Sequence, residues 1–480
     1  MKPIRHARSP RAGRARAGAW IAAIVVSAAS WAQPYDSHYV APAAGPALIR
    51  HATILTGTGE RLEDSDILLE GGRIAAIGRD LPAPGGALVI EARGHWVTPG
   101  LIDVHSHLGV SSSPLVHGND EGNEMTSPLT ANVWAEHGVW PQDPGFQAAL
   151  EGGVTTLHIL PGSANLIGGR TVVLRNVRAA TYQQMKFPEA PHGLKMACGE
   201  NPKRTYGGRN QSPGTRMANV AAVRQAFFDA QDYRRQWMKY QQDLADFESK
   251  RKQNKGAGEA GSRPPTPPKT DLKMQTLVDV LEGRIKVHVH CYRADDMATM
   301  LDIAGEFGFQ IAAFHHAVEA YKIADLLAKR GVCGALWADW WGFKMEAYDG
   351  IQENLPLVHR PPGGCAIVHS DSAEGIQRLN QEAAKGMARG RRLGLDIPPE
   401  QAIRWITSNP AKALGLDDRI GTVEPGKIAD LVIWSRNPFS VYAQAQYVFI
   451  DGAIVFDRAH RDEWPRSDFL LGQPSLEASL

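Results

Sequence analysis

Four apolar runs in this 480-residue chain end in residue types that bind metal ions, and each is followed by a helix-like segment. Leu101 to Val104 leads into His105-Ser106-His107. The run from Ile285 leads into His288-Val289-His290, Gln310 to Phe314 into His315-His316, and Ala366 to Val368 into His369-Ser370-Asp371. In a strand, side chains at i and i+2 share a face, so His105 and His107 converge on one point, as two ligands of one ion must. With 17 His in the chain, roughly one His-x-His arises by chance, and for the pair alone a solvated or core histidine pair is the default reading. Four such placements are not explained that way. Repeated strand–helix units imply a parallel sheet, and a chain this long favours an α/β fold with a closed (β/α)8 TIM-like barrel whose site lies at the C-terminal strand ends.

Residues 98–415 carry that alternation. Val154 to Leu160, Leu194 to Cys198 and Val332 to Leu336 read as strands, and Gly145 to Glu151, Met297 to Phe307, Val318 to Lys329, Ser372 to Arg389 and Pro398 to Thr407 as helices. Gly162 to Gly169 reads as a flexible loop suited to approach a ligand closely; it lacks the Gly-Lys-Ser/Thr ending of a phosphate loop. An insertion at about 224–271 consists of a long charged helix, 224–251, and a Gly-, Lys- and Pro-rich stretch, reading as a solvated face with a surface loop. Residues 47–97 and 416–460 are short strands with tight turns, such as Gly71-Gly72 and Asp451-Gly452. Both ends of the mature chain therefore build one small discontinuous β domain, with 33–46 as an extended leader and 461–480 as a tail.

Residues 1–32 have the form of a signal peptide: Arg5, Arg8, Arg11, Arg14 and Arg16 precede the apolar Ala19 to Ala29, and Ser30-Trp31-Ala32 offers a cleavage site. The expected location is periplasmic or secreted, with no stable membrane insertion after cleavage. Cys198, Cys291, Cys333 and Cys365 form no Cys-x-x-Cys pair, which argues against a thiolate zinc site; they read as buried free thiols, although an oxidising compartment permits a disulfide. With 52 Lys+Arg against 51 Asp+Glu, nothing points to nucleic acid as a partner. A small-molecule substrate is expected, and a homo-oligomer is left open.

Pro99 to His107, Thr407 to Gly415 and Gly421 to Val432 resemble the metal-dependent amidohydrolase superfamily, and its imidazolonepropionase-like members in particular. The likeness spans nearly everything after about residue 47. It implies a choice between neighbouring histidines. The run Arg293 to Asp296 favours His290 over His288, and the segment His316 to Tyr321 favours His316 over His315. Asp371 matches the aspartate of the eighth strand. Many relatives have a second histidine where this chain has Tyr292. Two-metal relatives bridge their ions with a glutamate or a carboxylated lysine on a middle strand. The expectation here is Glu200, at the end of its apolar run and already anionic, with Lys195 as the alternative and a single-metal site as the third option.

The expected ligands are thus His105, His107, Glu200, His290, His316 and Asp371, with Asp371 and His290 acting in catalysis. Imidazole and carboxylate donors suit Zn²⁺, or Mn²⁺ or Fe²⁺, as one or two ions. Such an ion lowers the pKa of water and polarises a carbonyl, and Asp371 would shuttle a proton to the leaving nitrogen. The implied reaction is hydrolysis of a non-peptide C–N bond. An Xaa-Pro-type metallo-dipeptidase, a ring deaminase and a metal-free scaffold are the competing readings. Trp337, Trp340 and Trp341 suggest an aromatic pocket wall beside Lys344 and Glu346.

Overall fold

A computed structural model describes residues 34–253, 263–340 and 342–463; the signal-like segment 1–32, Trp341 and most of the tail lie outside them. Two sheets organise the described chain. The first begins with β1 (Ala47–Leu55), β2 (Arg61–Glu70), β3 (Arg73–Gly78), β4 (Leu88–Glu91) and β5 (Trp96–Pro99). The second contains β6 (Leu101–Ser106), β7 (Val154–Ile159), β8 (Ile167–Arg175), β9 (Gly193–Ala197), β10 (Lys286–Cys291), β11 (Ile311–His316), β12 (Cys333–Leu336) and β13 (Ala366–Val368). The chain then returns to the first sheet with β14 (Leu431–Trp434), β15 (Ala445–Ile450) and β16 (Ala453–Asp457).

The first sheet runs β16-β15-β14-β5-β1-β2-β3, with β4 also on β1, so strands from both ends of the described chain share it. Pro99-Gly100 hands the chain from one sheet to the other. A Cβ on Gly100 would lie 2.2 Å from Thr155 Oγ1, so only glycine permits this close crossing. The sheets are clamped by Arg175 of β8. Its guanidinium, fully buried, donates to Asp430 Oδ1 at 2.8 Å and to Asp451 Oδ2 at 2.7 Å.

The second sheet is an eight-stranded, nearly closed barrel. β6 and β7 are parallel, as are β9 through β13. One strand departs from the expected all-parallel order. β8 is antiparallel to both β7 and β9. A parallel return needs a crossover of a dozen or more residues, and only residues 160–166 separate β7 from β8. The end of the expected glycine-rich loop, Ile167 to Gly169, is therefore strand. No ladder joins β13 to β6; the backbone N–H of Asp371 donates to the carbonyl of His105 at 3.0 Å instead.

Helices cover the barrel. The helix Arg216–Gln253 is longer than the sequence suggests, 38 residues, and buries Val223, Phe227, Ala230, Tyr233 and Trp237 along one stripe. Among the described residues, no helix is long and apolar enough to cross a membrane. The cysteines are not free thiols: Cys198 bonds Cys291 and Cys333 bonds Cys365. Each pair lies on adjacent parallel strands, with Cα atoms 5.3 and 4.5 Å apart, within reach of a bridge.

Candidate metal centre

β6 delivers His105 and His107 to the C-terminal mouth of the barrel. His107 Nδ1 lies 2.8 Å from the Leu160 carbonyl. A carbonyl only accepts, so Nδ1 carries a proton, and Nε2 is the nitrogen left to meet a cation or a second proton. That Nε2 is 3.2 Å from Asp371 Oδ1, and His105 Nε2 is 3.5 Å from the same oxygen. His316 Nδ1 lies 3.8 Å from Asp371 Oδ2. Burial pushes the Asp371 carboxyl up, but the hydrogen bond and charge of His107 outweigh it and hold the group below the usual carboxylate range.

The third side of the site is His290 on β10, whose ring centroid is 4.6 Å from that of His316 at the end of β11. The His105 and His316 centroids are also 4.6 Å apart. Burial, above all, pushes the His105, His290 and His316 rings well below the ordinary histidine pKa. They are neutral at pH 7 and offer lone pairs. Nδ1 of His290 and Nδ1 of His316 are buried without a hydrogen-bond partner, while His290 Nε2 meets the amide Nδ2 of Asn201 at 3.2 Å.

Lys195, on β9, enters the same space. Its Nζ is 3.4 Å from His105 Nε2 and donates to the Pro161 carbonyl at 3.0 Å. Burial pushes the ammonium down to about 8. Glu200 does not join the group. It is the first residue of the helix Glu200–Gly207, where Gly199 turns the chain away at φ 73°. The Glu200 carboxylate lies 3.9 Å from Lys344 Nζ and 3.9 Å from Arg204 Nη1, and its backbone N–H donates to Glu346 at 2.9 Å. The two candidates part here: the Lys195 ammonium lies beside His105, and the Glu200 carboxylate lies beside Lys344 and Arg204.

Aromatic rings close one side. Trp337 lies 4.5 Å from the His316 ring, Trp340 stacks on Trp337 at 5.3 Å, and Tyr292 stacks on His316 at 5.6 Å. Lys344 Nζ sits 4.0 Å above the Tyr292 ring and donates to Asn201 Oδ1 at 2.9 Å. Sequence reasoning did not give a role to Asn201 or His369. His369 Nε2 accepts the backbone N–H of His316 at 3.2 Å. Its position two residues before Asp371, on the same face of an extended segment, was the available signal.

The donor set fits a divalent cation. Two groups of ligand atoms, His105 with His107 and Asp371, and His105 with His316 and His369, each lie within 4.8 Å of one another. Nε2 of His107 faces the Asp371 carboxylate at 3.2 Å, which calls for a proton or a cation between them. The orphaned Nδ1 of His316, 3.8 Å from Asp371 Oδ2, needs a partner that nothing else in the described chain supplies.

Residues 366–456 match the amidohydrolase family. The chain is 33% identical over 452 residues to the amidohydrolase tasK of Hapsidospora irregularis, an alignment covering 88% of this chain and 44% of that protein, so it spans less than half of that relative's length. It is 23% identical over 409 residues to an imidazolonepropionase of Thermoplasma volcanium, covering 83% of this chain and 92% of that protein. Among solved structures, an amidohydrolase from Thermotoga maritima aligns with a TM-score of 0.74 at 34% identity, over 86% of this chain and 100% of that one.

Proposed function

The chain belongs to the amidohydrolase superfamily, among its imidazolonepropionase-like members, and on that footing we propose that it hydrolyses a non-peptide C–N bond, that of an amide or cyclic amide, in a small molecule. The observation that carries the reading is Asp371. Its carboxylate stands 3.2 Å from one histidine of β6 and 3.5 Å from the other, at the open end of a barrel.

His105, His107, His290, His316 and Asp371 would hold one or two divalent ions, Zn²⁺ in the first place, with Mn²⁺ or Fe²⁺ as alternatives. When bound, such an ion polarises the scissile carbonyl and lowers the pKa of water beside it. Asp371, kept ionised by His107, takes a proton from the attacking water and returns it to the leaving nitrogen. His290 faces the same space and orients the carbonyl oxygen. Lys195 has the depressed pKa and the burial to react as a free amine with CO₂. The new N–C bond gives a carbamate, with the nitrogen's proton released to solvent, and that anion would be one more ligand where two ions are held. Trp337 and Tyr292 form an aromatic wall along one side of the site.

Two disulfides are the kind of bond an oxidising compartment preserves, which supports export of the mature protein to the periplasm or medium. Turnover of a panel of cyclic amides, N-acyl amides and dipeptides by the purified, Zn²⁺-loaded protein tests the activity. Hydrolysis of amides, abolished by a chelator and restored by Zn²⁺, is the expected result. Dipeptides as the preferred substrates, or activity indifferent to chelation, would reject it.

A further inference from the structure

Beneath the metal centre a line of histidines runs back from His105 through two, His315 and His288, that the proposed chemistry does not use. His105 Nδ1 meets His315 Nδ1 at 2.9 Å. His315 Nε2 meets His288 Nδ1 at 2.9 Å. All three rings are buried, and His288 Nε2, at the far end, has no hydrogen-bond partner. His158 packs against His288 with centroids 4.5 Å apart, but it cannot extend the line. Its Nδ1 must donate to the Val104 carbonyl at 3.0 Å, and its Nε2 then accepts from the Thr171 hydroxyl at 2.5 Å.

An N···N contact between two neutral imidazoles is a hydrogen bond only when one of the nitrogens carries a proton. With one proton per ring, the line has two arrangements. In one, His105 donates from Nδ1 to His315, and His315 donates from Nε2 to His288. In the other, every proton runs the opposite way, from His288 to His315 to His105. The second puts the proton of His105 on Nε2, the atom that faces Asp371 and Lys195, and a protonated nitrogen cannot bind a cation. The first leaves that Nε2 with its lone pair.

We propose that His315 and His288 are positioning residues: a buried imidazole relay that fixes His105 in the tautomer and orientation able to hold a cation through Nε2. The relay does the work that a carboxylate or carbonyl does behind many metal-bound histidines. It rests on the metal reading above and goes beyond it, because neither histidine touches the ion. It also gives a reason for the doublet His315-His316: the second ring faces the site, and the first faces the back of a ring on β6.

The test is Zn²⁺ affinity of the full-length apoprotein, measured by competition with a chromophoric chelator. His315→Leu removes both hydrogen bonds and should weaken binding by roughly 10- to 100-fold. His315→Gln can accept at its carbonyl and donate from its amide, so it should recover most of that loss; a purely structural void would treat Leu and Gln alike. In the wild type with ¹⁵N-labelled histidine, Zn²⁺ should bring His105 Nδ1 into the protonated range of chemical shifts, and His315→Leu should abolish that signature. Wild-type affinity in His315→Leu, or equal losses in both variants, overturns the relay. If His315→Leu does not fold, His288→Leu decides: a several-fold weaker affinity supports the relay, and unchanged affinity overturns it. A wild-type protein that binds no divalent ion overturns the metal reading itself, and is seen before any variant is made.

Discussion

The Nζ of Lys195 lies 3.4 Å from Nε2 of His105, deep in the barrel and away from bulk water. The Glu200 carboxylate, five residues on, is instead 3.9 Å from the Lys344 ammonium. Lys195→Met should therefore reduce the metal content of the purified protein from about two ions per chain to about one and remove most activity. Glu200→Gln should keep both ions. Metal content by plasma mass spectrometry checks this. The reverse pattern returns the bridging role to Glu200, and two unchanged variants indicate a single-ion site.

Asp371 offers the second test. Its main-chain N–H bonds the His105 carbonyl, so Asp371→Asn can keep the backbone closure while removing the charge and the proton shuttle. A fall in kcat of roughly 10²- to 10⁴-fold is expected, with secondary structure by circular dichroism unchanged. Near-normal turnover in a folded, metal-loaded variant would exclude Asp371 as the proton carrier.

Much of the site was legible because the informative residues sit at the ends of apolar runs. His105 and His290 are the penultimate residues of β6 and β10, His107 follows β6 directly, His316 ends β11, and β13 lies just before Asp371, so period and residue type agree. β8 was hidden by its own charges. Ile167–Arg175 is buried throughout, yet Gly168, Gly169, Arg170 and Arg175 interrupt the apolar pattern. Arg170 is neutralised by Asp279 and Arg175 by Asp430, partners 109 and 255 residues away. A charge inside a strand looks solvent-facing until the fold brings its partner. Lys195 and Glu200 were hard to tell apart for a related reason. Lys195 lies inside β9 and Glu200 three residues past its end, and only the positive-φ turn at Gly199 decides which side chain stays in the barrel.

The cysteine expectation failed on register. Spacings of 93 and 32 residues say nothing about which strands are neighbours. In the barrel, Ala197 pairs with His290, and Gly334 with Ala366, which sets Cys198 beside Cys291 and Cys333 beside Cys365. Protein made in an oxidising compartment and denatured without reductant should show no free thiol to a thiol-reactive dye, and should show all four after reduction. Replacing Cys333 and Cys365 together by Ala should cost about 2–4 kcal/mol of stability, read as a lower midpoint in denaturant. Four reactive thiols before reduction would remove both bridges.

The last prediction concerns the clamp between the two sheets. Arg175 reaches from the barrel to Asp430 and Asp451 at the edge of the other sheet, with its guanidinium 5.6 Å from the Tyr39 ring. Two carboxylates share one buried cation, and burial by itself pushes the Asp430 carboxyl up despite the attraction of Arg175. Arg175→Met keeps much of the aliphatic length and deletes the charge, leaving Asp430 buried without its partner. Breaking a buried pair from one side costs about 3–5 kcal/mol, so the thermal midpoint should fall by about 3–5 °C in a chain of this length. Arg175→Met combined with Asp430→Asn should recover part of the loss, because no buried charge is then left unpaired at that position. A single variant as stable as the wild type would show that Asp430 reaches water in solution, and that the sheets are joined by apolar packing alone.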